Sequence, residues 1–508
     1  MRRSLLVLLA VAAFPSSAVA APVLVLGHHG GVAKRNDPFV AGLAITPVPS
    51  GGSALKVAPG AERHGARAAA RSGSPGSSGS VHARLKAKPP ITVLSALEGL
   101  YRRHAITQAQ DKGYVSDFNG ALKSERHLTG TRRDELDAVT ETMHQIGVSR
   151  ELTASRLPAL FATLNANQQW WTQGPLLAGG QRVEFAGSQL VWEYYPGQGI
   201  QLQVLGTFGK ADGLYTGGAS DYPALEQLLS QMVPLAAQRG GGLAWEYYFS
   251  FDGGSPPWTS AMSQATGLEA LTRAYQATDN PYYLQVASRA IPIFSKRPPT
   301  GVSVKTRLGT RFLQYTFTPG TSIINAFLQT LIGLYDYAQV SGSATAARLF
   351  ASGNAEAMSE VPHFDTGAWS LYQPGIEDPL SYHELVTGFL QELCQRTGAP
   401  VYCTTAEHFQ SYLTTPPVLS QLTFRARVRA PHRTSFDLRF RLSKYSHVGV
   451  VLTQGDTTVF STSASFPYGA DHFTVPALKS RGTYSVVLTA TDLAGNFSRI
   501  TGTLQVTS

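Results

Sequence analysis

Apolar residues recur at helical spacing from Ile91 to Leu413 and alternate after that, so the chain reads as mainly helical with a β portion at its end. Leu94, Leu97, Leu100 and Tyr101, then 136–146 and 157–171, predict helices. Between 181 and 216 the period changes: VEFAGSQLVWEYYPGQGIQLQVLGTFGKADGLY alternates and is broken by glycines, which predicts a β or extended subregion. A repeat follows. The strings LEAL (268–271), LQTL (328–331) and LQEL (390–393) lie 60 and 62 residues apart. Each falls in a helix expected to begin near Trp258, Thr321 or Ser381, with a second helix after a turn at 282–291, 344–358 or 405–413. Self-similarity of this kind predicts stacked αα-hairpins, here a closed or part-closed α/α toroid. Its long connections, 292–320 and 359–380, are expected to line a cleft.

Beyond Thr414-Thr415-Pro416-Pro417 the period is two: Phe424, Ala426, Val428; Phe436, Leu438, Phe440, Leu442; Tyr484, Val486, Leu488. This predicts a C-terminal β-sandwich over 416–508. Its ending, YSVVLTATDLAGN, is similar to the last strands of bacterial immunoglobulin-like or fibronectin-III-like modules, which implies a spacer or adhesion unit. At the other end, Arg2-Arg3, the apolar run 5–14 and Ala18-Val19-Ala20 have the form of a secretory signal over 1–20. The apolar run is too short to span a membrane and no later segment is longer, so a secreted protein is expected. Residues 21–90 are rich in Ala, Gly, Ser, Pro and Arg, with SGSPGSSGS at 72–80, and read as a disordered basic linker. The expected order is therefore signal (1–20), linker (21–90), helical domain (91–415) and sandwich (416–508).

Charge refines the partner. The formal +9 resides in the leader and in 21–90, which holds nine Lys/Arg against Asp37 and Glu62; residues 91–508 carry 31 basic and 31 acidic side chains. A nucleic-acid binder shows a basic fold rather than a basic tail, so no nucleic-acid partner is expected. The tail suits an acidic wall polymer, or simply solvates the chain. Cys394 and Cys403 are the two cysteines, and in an exported protein they predict one disulfide joining two helices at their loop. No His or Cys stands near them at zinc spacing, and no metal site is predicted; calcium is left open, with no motif for it.

The candidate chemistry centres on 296–337. No acidic residue occurs between Asp279 and Asp336, whereas Arg289, Lys296, Arg297, Lys305, Arg307 and Arg311 do. A basic hairpin leading through Tyr315 into a helix start is a place to hold a carboxylate or sulfate beside a phenol. A solvated basic loop before a core helix is the plainer alternative. Tyr315, Tyr372 and Tyr382 each lie just before a helix start or in a connection, so stacked hairpins bring them to one mouth. Nearby Lys and Arg would lower a phenol from its usual pKa of ~10 and let it exchange protons with carbon acids.

These segments resemble the D-glucuronyl C5-epimerase family over 190–413. WTSAMSQATGLEALTRAY is similar to the family's W-x-S-A-M-x-Q-G helix, and QYTFTPGTSIINAFLQTLIGLYD to its E-Y-P-x-x-P-S-x-x-L-N-G-F…L-I-G-L-Y-D stretch. FDTGAWSLY and YH resemble Y-D-T-G-x-x-x-Y and D-Y-H, and YYPGQGIQLQ resembles P-x-G-Q-G. The resemblance implies catalytic tyrosines at Tyr315, Tyr372 and Tyr382 and inversion at C5 of a glucuronate unit in an acidic polysaccharide, with no redox cofactor. Arg311 and Arg307 are expected to hold the substrate carboxylate, with Gln314, Asn325, His383 and Trp258 also facing substrate. Gln314 departs from the family's Glu, and Gln373-Pro374-Gly375-Ile376 replaces D-L-R-H. These departures keep open a polysaccharide-binding protein without turnover. A lyase uses the same proton abstraction and stays open too. So does a glycosidase built on Glu377, Asp378 and Glu384. The aromatics Trp192, Tyr194, Tyr195, Trp245, Tyr247 and Tyr248 are candidates for sugar stacking or for core. Oligomeric state is not legible.

Overall fold

A computed structural model describes residues 21–37, 92–421, 427–429 and 435–507. The predicted signal at 1–20 and the linker at 38–90 lie outside the described residues. Residues 21–37 correct the expectation of a disordered 21–90. They form a hairpin of β1 (Ala21–Leu26) and β2 (Val32–Asp37), and β1 runs parallel to β3 (Arg182–Phe185). A buried ionic cluster holds it: Lys210 Nζ lies 3.0 Å from Asp37 and 2.9 Å from Glu184, and Arg35 also pairs with Glu184. Local composition cannot register partners supplied by other segments.

Helix starts follow capping chemistry. Thr92 and Thr107 close capping boxes on α1 (Val93–Arg102) and α2 (Gln108–His127), which pack with α3 (Thr131–Val148) and α4 (Leu157–Gln173). β4 (Trp192–Tyr195) and β5 (Gly199–Leu202) complete the five-stranded sheet, in the order β2-β1-β3-β4-β5. The predicted extended subregion therefore ends early. Its last part is α5 (Val204–Thr216), whose glycines concealed a helix buried on most sides, with Phe208 packed on Gly267 of the next inner helix.

After α6 (Tyr222–Met232) and the hairpin β6 (Ala237–Arg239)–β7 (Gly242–Ala244), the repeat becomes visible. α7 (Ala261–Thr278) is an inner helix of 18 residues, followed by outer α8 (Pro281–Ala290) and the hairpin β8 (Ser303–Lys305)–β9 (Thr310–Phe312). Inner α9 (Ile324–Ser341) has 18 residues again, with outer α10 (Ala344–Glu360) and the hairpin β10 (Leu371–Gln373)–β11 (Ile376–Glu377). Inner α11 (Leu380–Thr397) and outer α12 (Pro400–Tyr412) finish the series. Each of these inner helices stops on a left-handed residue: Asp279 (φ 54°), Gly342 (φ 68°) and Gly398 (φ 64°). Helices α5, α7, α9 and α11 pack in a row, each with its outer partner. At the α7–α9 contact a Cβ on Gly333 would stand 2.2 Å from the Ala265 carbonyl oxygen, so only glycine fits. The disulfide Cys394–Cys403 ties the last turn of α11 to the first turn of α12.

The remainder is β. β12 (Leu419–Gln421), β14 (Phe436–Leu442) and β17 (Gly469–Val475) form one sheet. β13 (Arg427–Arg429), β15 (Ser446–Gln454), β16 (Thr457–Phe466), β18 (Gly482–Asp492) and β19 (Phe497–Thr507) form the other. Alternate residues of both sheets, among them Leu438, Phe440, Val448, Val450, Val486 and Leu488, bury into one apolar cluster separate from the helical core.

Candidate active site

Three loop segments deliver three tyrosines to one place. Tyr315 follows β9, where 313–316 runs along the entry to α7: Ala261 N–H donates to Leu313 O at 2.9 Å and Thr316 N–H to Thr259 O at 3.2 Å. Its ring sits against Phe317 (5.2 Å), Phe251 (5.5 Å) and Trp258 (5.7 Å), leaving the residue 7% exposed. Tyr372 is the middle residue of β10, and Tyr382 lies in the first turn of α11. The side chains of Tyr315 and Tyr372 are joined by a hydrogen bond, and the rings of Tyr372 and Tyr382 meet edge-on at 5.6 Å. Tyr372 and Tyr382 are partly exposed, so this cluster has an open side.

The electrostatics correct one expectation. Lys and Arg were to lower the phenols, but burial pushes both Tyr315 and Tyr372 above the ordinary phenol value. Within the pair the two differ. Hydrogen bonds from Tyr372 and Gln314 favour the phenolate of Tyr315, whereas the charge of Tyr315 and the shared bond disfavour ionisation of Tyr372. Within the pair, ionisation is therefore easier at Tyr315 than at Tyr372. Gln314 has its amide oxygen accepting from Ser260 Oγ at 3.4 Å, which leaves the amide nitrogen for Tyr315. The carboxylate that bears on Tyr315 is Asp252, an exposed residue at φ 45° in the tight turn between Phe251 and Gly254. Sequence reading passed over it because FDGG reads as an ordinary turn; its non-glycine left-handed backbone is the sign that the fold exposes.

Other expected site residues lie elsewhere. Arg311 does not face the tyrosines: its Nε donates to Glu360 at 2.6 Å, and Nη2 also approaches Glu360 and, at 3.6 Å, Glu356. Ser322, just before α9, donates to the same Glu360 at 3.0 Å. The anion beside the basic stretch is therefore supplied by α10, and sequence distance hid it. Arg307 is exposed at the tip of the β8–β9 hairpin, the end away from Tyr315. Asn325 is buried in the first turn of α9, accepting Ala326 N–H at 2.8 Å.

His383 is fully buried. Its Nε2 faces the Phe409 carbonyl at 2.9 Å, so that nitrogen carries the proton, and Nδ1 accepts from Ser370 (Oγ at 2.7 Å). Burial pulls His383 down to about 4, so it is neutral. Trp258 is core, with Nε1–H donating to Phe249 O at 2.8 Å; it shapes the wall behind Tyr315 rather than meeting solvent. Trp192, Tyr194, Tyr195, Trp245, Tyr247 and Tyr248 are likewise buried. The glycosidase alternative also loses its carboxylates. Glu377 and Asp378 are buried, accepting from Tyr445 N–H and from the Ser370 hydroxyl, and Glu384 is exposed on α11. Among the described residues, no group of three or more His, Cys, Asp or Glu is set to hold a metal ion.

Residues 239–411 match the family described as D-glucuronyl C5-epimerase C-terminus. Over 130 residues, 23% of this chain and 21% of the relative, the sequence is 31% identical to a D-glucuronyl C5-epimerase of Caenorhabditis elegans. Over 168 residues, 32% of this chain and 54% of the relative, it is 29% identical to an uncharacterized protein of Methanocaldococcus jannaschii. The chain thus covers less than two thirds of either relative's length. Among solved structures it is similar to a D-mannose isomerase (TM-score 0.31, 11% identity, 56% of this chain and 74% of the other). It is also similar to a sugar epimerase from a ruminal bacterium (TM-score 0.29, 14% identity, 41% of this chain and 57% of the other).

Proposed function

We propose, on the premise that residues 239–411 place this chain in the D-glucuronyl C5-epimerase family, that it is a carbohydrate epimerase acting at C5 of hexuronate units in an acidic polysaccharide. The observation that carries this reading is the hydrogen-bonded pair Tyr315–Tyr372 with Tyr382 edge-on to it at a partly open position. Proton abstraction breaks the C5–H bond; the proton passes to the phenolate of Tyr315 and the electron pair spreads onto the uronate carboxylate as an enolate. Substrate entering between the two phenols parts the pair, and Tyr372, which stays neutral where Tyr315 is ionised, returns a proton to the opposite face of C5. Turnover leaves Tyr315 protonated and Tyr372 ionised. When product leaves, the hydrogen bond re-forms and lets the proton cross back, so the pair resets without a redox partner. Gln314 belongs in this scheme as a donor that favours the Tyr315 phenolate.

The leader at 1–20 supports export, and no helix among the described residues is long and apolar enough to cross a membrane. Incubation of the pure protein with glucuronate- and iduronate-containing polymers in heavy water tests the reading. Deuterium at C5 with interconversion of the two uronates is expected. An unsaturated, ultraviolet-absorbing product would instead assign a lyase, and binding without exchange a sugar-binding protein.

A further inference from the structure

The β10–β11 hairpin that carries Tyr372 is three residues against two, joined by Pro374-Gly375. A ladder this short does not hold its own shape in water. Its outer anchor comes from the C-terminal β module. Glu377 of β11, 5% exposed, accepts Tyr445 N–H with Oε1 at 2.8 Å and Tyr468 N–H with Oε2 at 2.9 Å. Tyr445 lies in the turn between β14 and β15, and Tyr468 in the turn between β16 and β17, so one carboxylate is gripped by two turns of the module. Within β10–β11, Glu377 pairs with Leu371, the neighbour of Tyr372.

A second buried contact lies alongside. Lys444, 1% exposed, pairs with Asp492 at 2.6 Å, donates to the carbonyls of Tyr412 (2.8 Å) and Thr415 (2.6 Å), and stands 5.1 Å above the ring of Trp369. Trp369 stacks on His383, the residue after Tyr382, at 3.8 Å. Both partly exposed tyrosines are therefore flanked by groups that the module fixes. The match to the epimerase family stops at residue 411, before the module begins.

We infer that the C-terminal β module is a structural part of the catalytic centre, with Glu377 as the positioning residue that holds Tyr372 against Tyr315. The kinetic side of this inference rests on the epimerase reading; the positional side does not. The test uses the full chain and two readouts: hydrogen exchange of the backbone at 371–377, and C5 deuterium incorporation with kcat and KM measured separately.

Glu377→Ala leaves two N–H groups without an acceptor and is expected to lose protection at 371–377. It is also expected to lower kcat by about tenfold or more with KM nearly unchanged, as misplaced catalytic groups do. Glu377→Gln keeps one acceptor oxygen and is expected to recover part of both. Tyr468→Pro removes one donor from the module side and is expected to move both readouts the same way, which keeps the test in force if Glu377→Ala does not fold. Unchanged protection at 371–377 in Glu377→Ala and Tyr468→Pro overturns the inference. So does lost protection with unchanged kcat. A wild-type protein without C5 exchange would sink the epimerase reading alone, since exchange at 371–377 still decides whether the module positions the hairpin.

Discussion

Gln314 shows how much one atom decides at the residue scale. A carboxylate there would place negative charge beside Tyr315 and oppose its ionisation, whereas the amide donates to it. Gln314→Glu is therefore predicted to slow C5 exchange by about tenfold at neutral pH, one pKa unit of added repulsion being ~1.4 kcal/mol. Faster exchange in that variant would make the amide a defect rather than a donor. Asp252 acts in the opposite sense to Gln314: its charge raises Tyr315. Asp252→Asn should shift the rising, alkaline-favoured limb of the pH–rate profile to lower pH, and a shift to higher pH would contradict this. The three tyrosines were legible because motif order carries over with the chain. The fate of Arg311 was not, because Glu356 and Glu360 lie on a later helix that packs back onto the β8–β9 hairpin.

Elements were legible where their signals are local. The repeated LEAL, LQTL and LQEL strings fall within α7, α9 and α11, and threonine caps, serine caps and left-handed stops bound the helices. Two elements escaped for physical reasons. The β1–β2 hairpin depends on β3 and on Lys210, and α5 has glycines at 206, 209 and 213 that lower helix propensity while close packing retains the helix. Packing between elements can be tested at Gly333. An added methyl would collide with the Ala265 carbonyl, so Gly333→Ala is predicted to destabilise the protein by about 1–3 kcal/mol, the usual range for overpacking. Chemical denaturation measures this, and a stability equal to wild type would mean that α7 and α9 are free to move apart.

For the whole molecule, buried acids set the pH dependence of stability. Burial pushes Glu377 and Asp378 each up to about 7, and Oδ1 of Asp378 has no hydrogen-bonding partner, as suits a protonated carboxyl. Between about pH 4.5 and 7 the folded protein holds these protons while the unfolded chain has released them, so their contribution to stability falls as pH rises. His383, held down to about 4, works the other way between about pH 4 and 6.5, since there the unfolded chain binds the extra proton. Of these three groups the two acids outweigh the histidine, so together they favour the fold less as pH rises toward neutral. Asp378→Asn should remove up to ~1.4 kcal/mol per pH unit of that slope, measured as Tm against pH. An unchanged slope would mean that Asp378 is ionised in the fold. These acids sit at the seam between the helical domain and the β module, so the seam and the tyrosine cluster share one buried neighbourhood.

The most direct measurement compares wild type with Tyr315→Phe and Tyr372→Phe for deuterium incorporation at C5 of a glucuronate polymer in heavy water. Incorporation by the wild type, and its loss by at least about a hundredfold in both variants with polymer binding retained, is the predicted result for acid and base groups acting together. Incorporation that persists in either variant at the wild-type rate would remove that phenol from the chemistry and contradict a catalytic tyrosine pair.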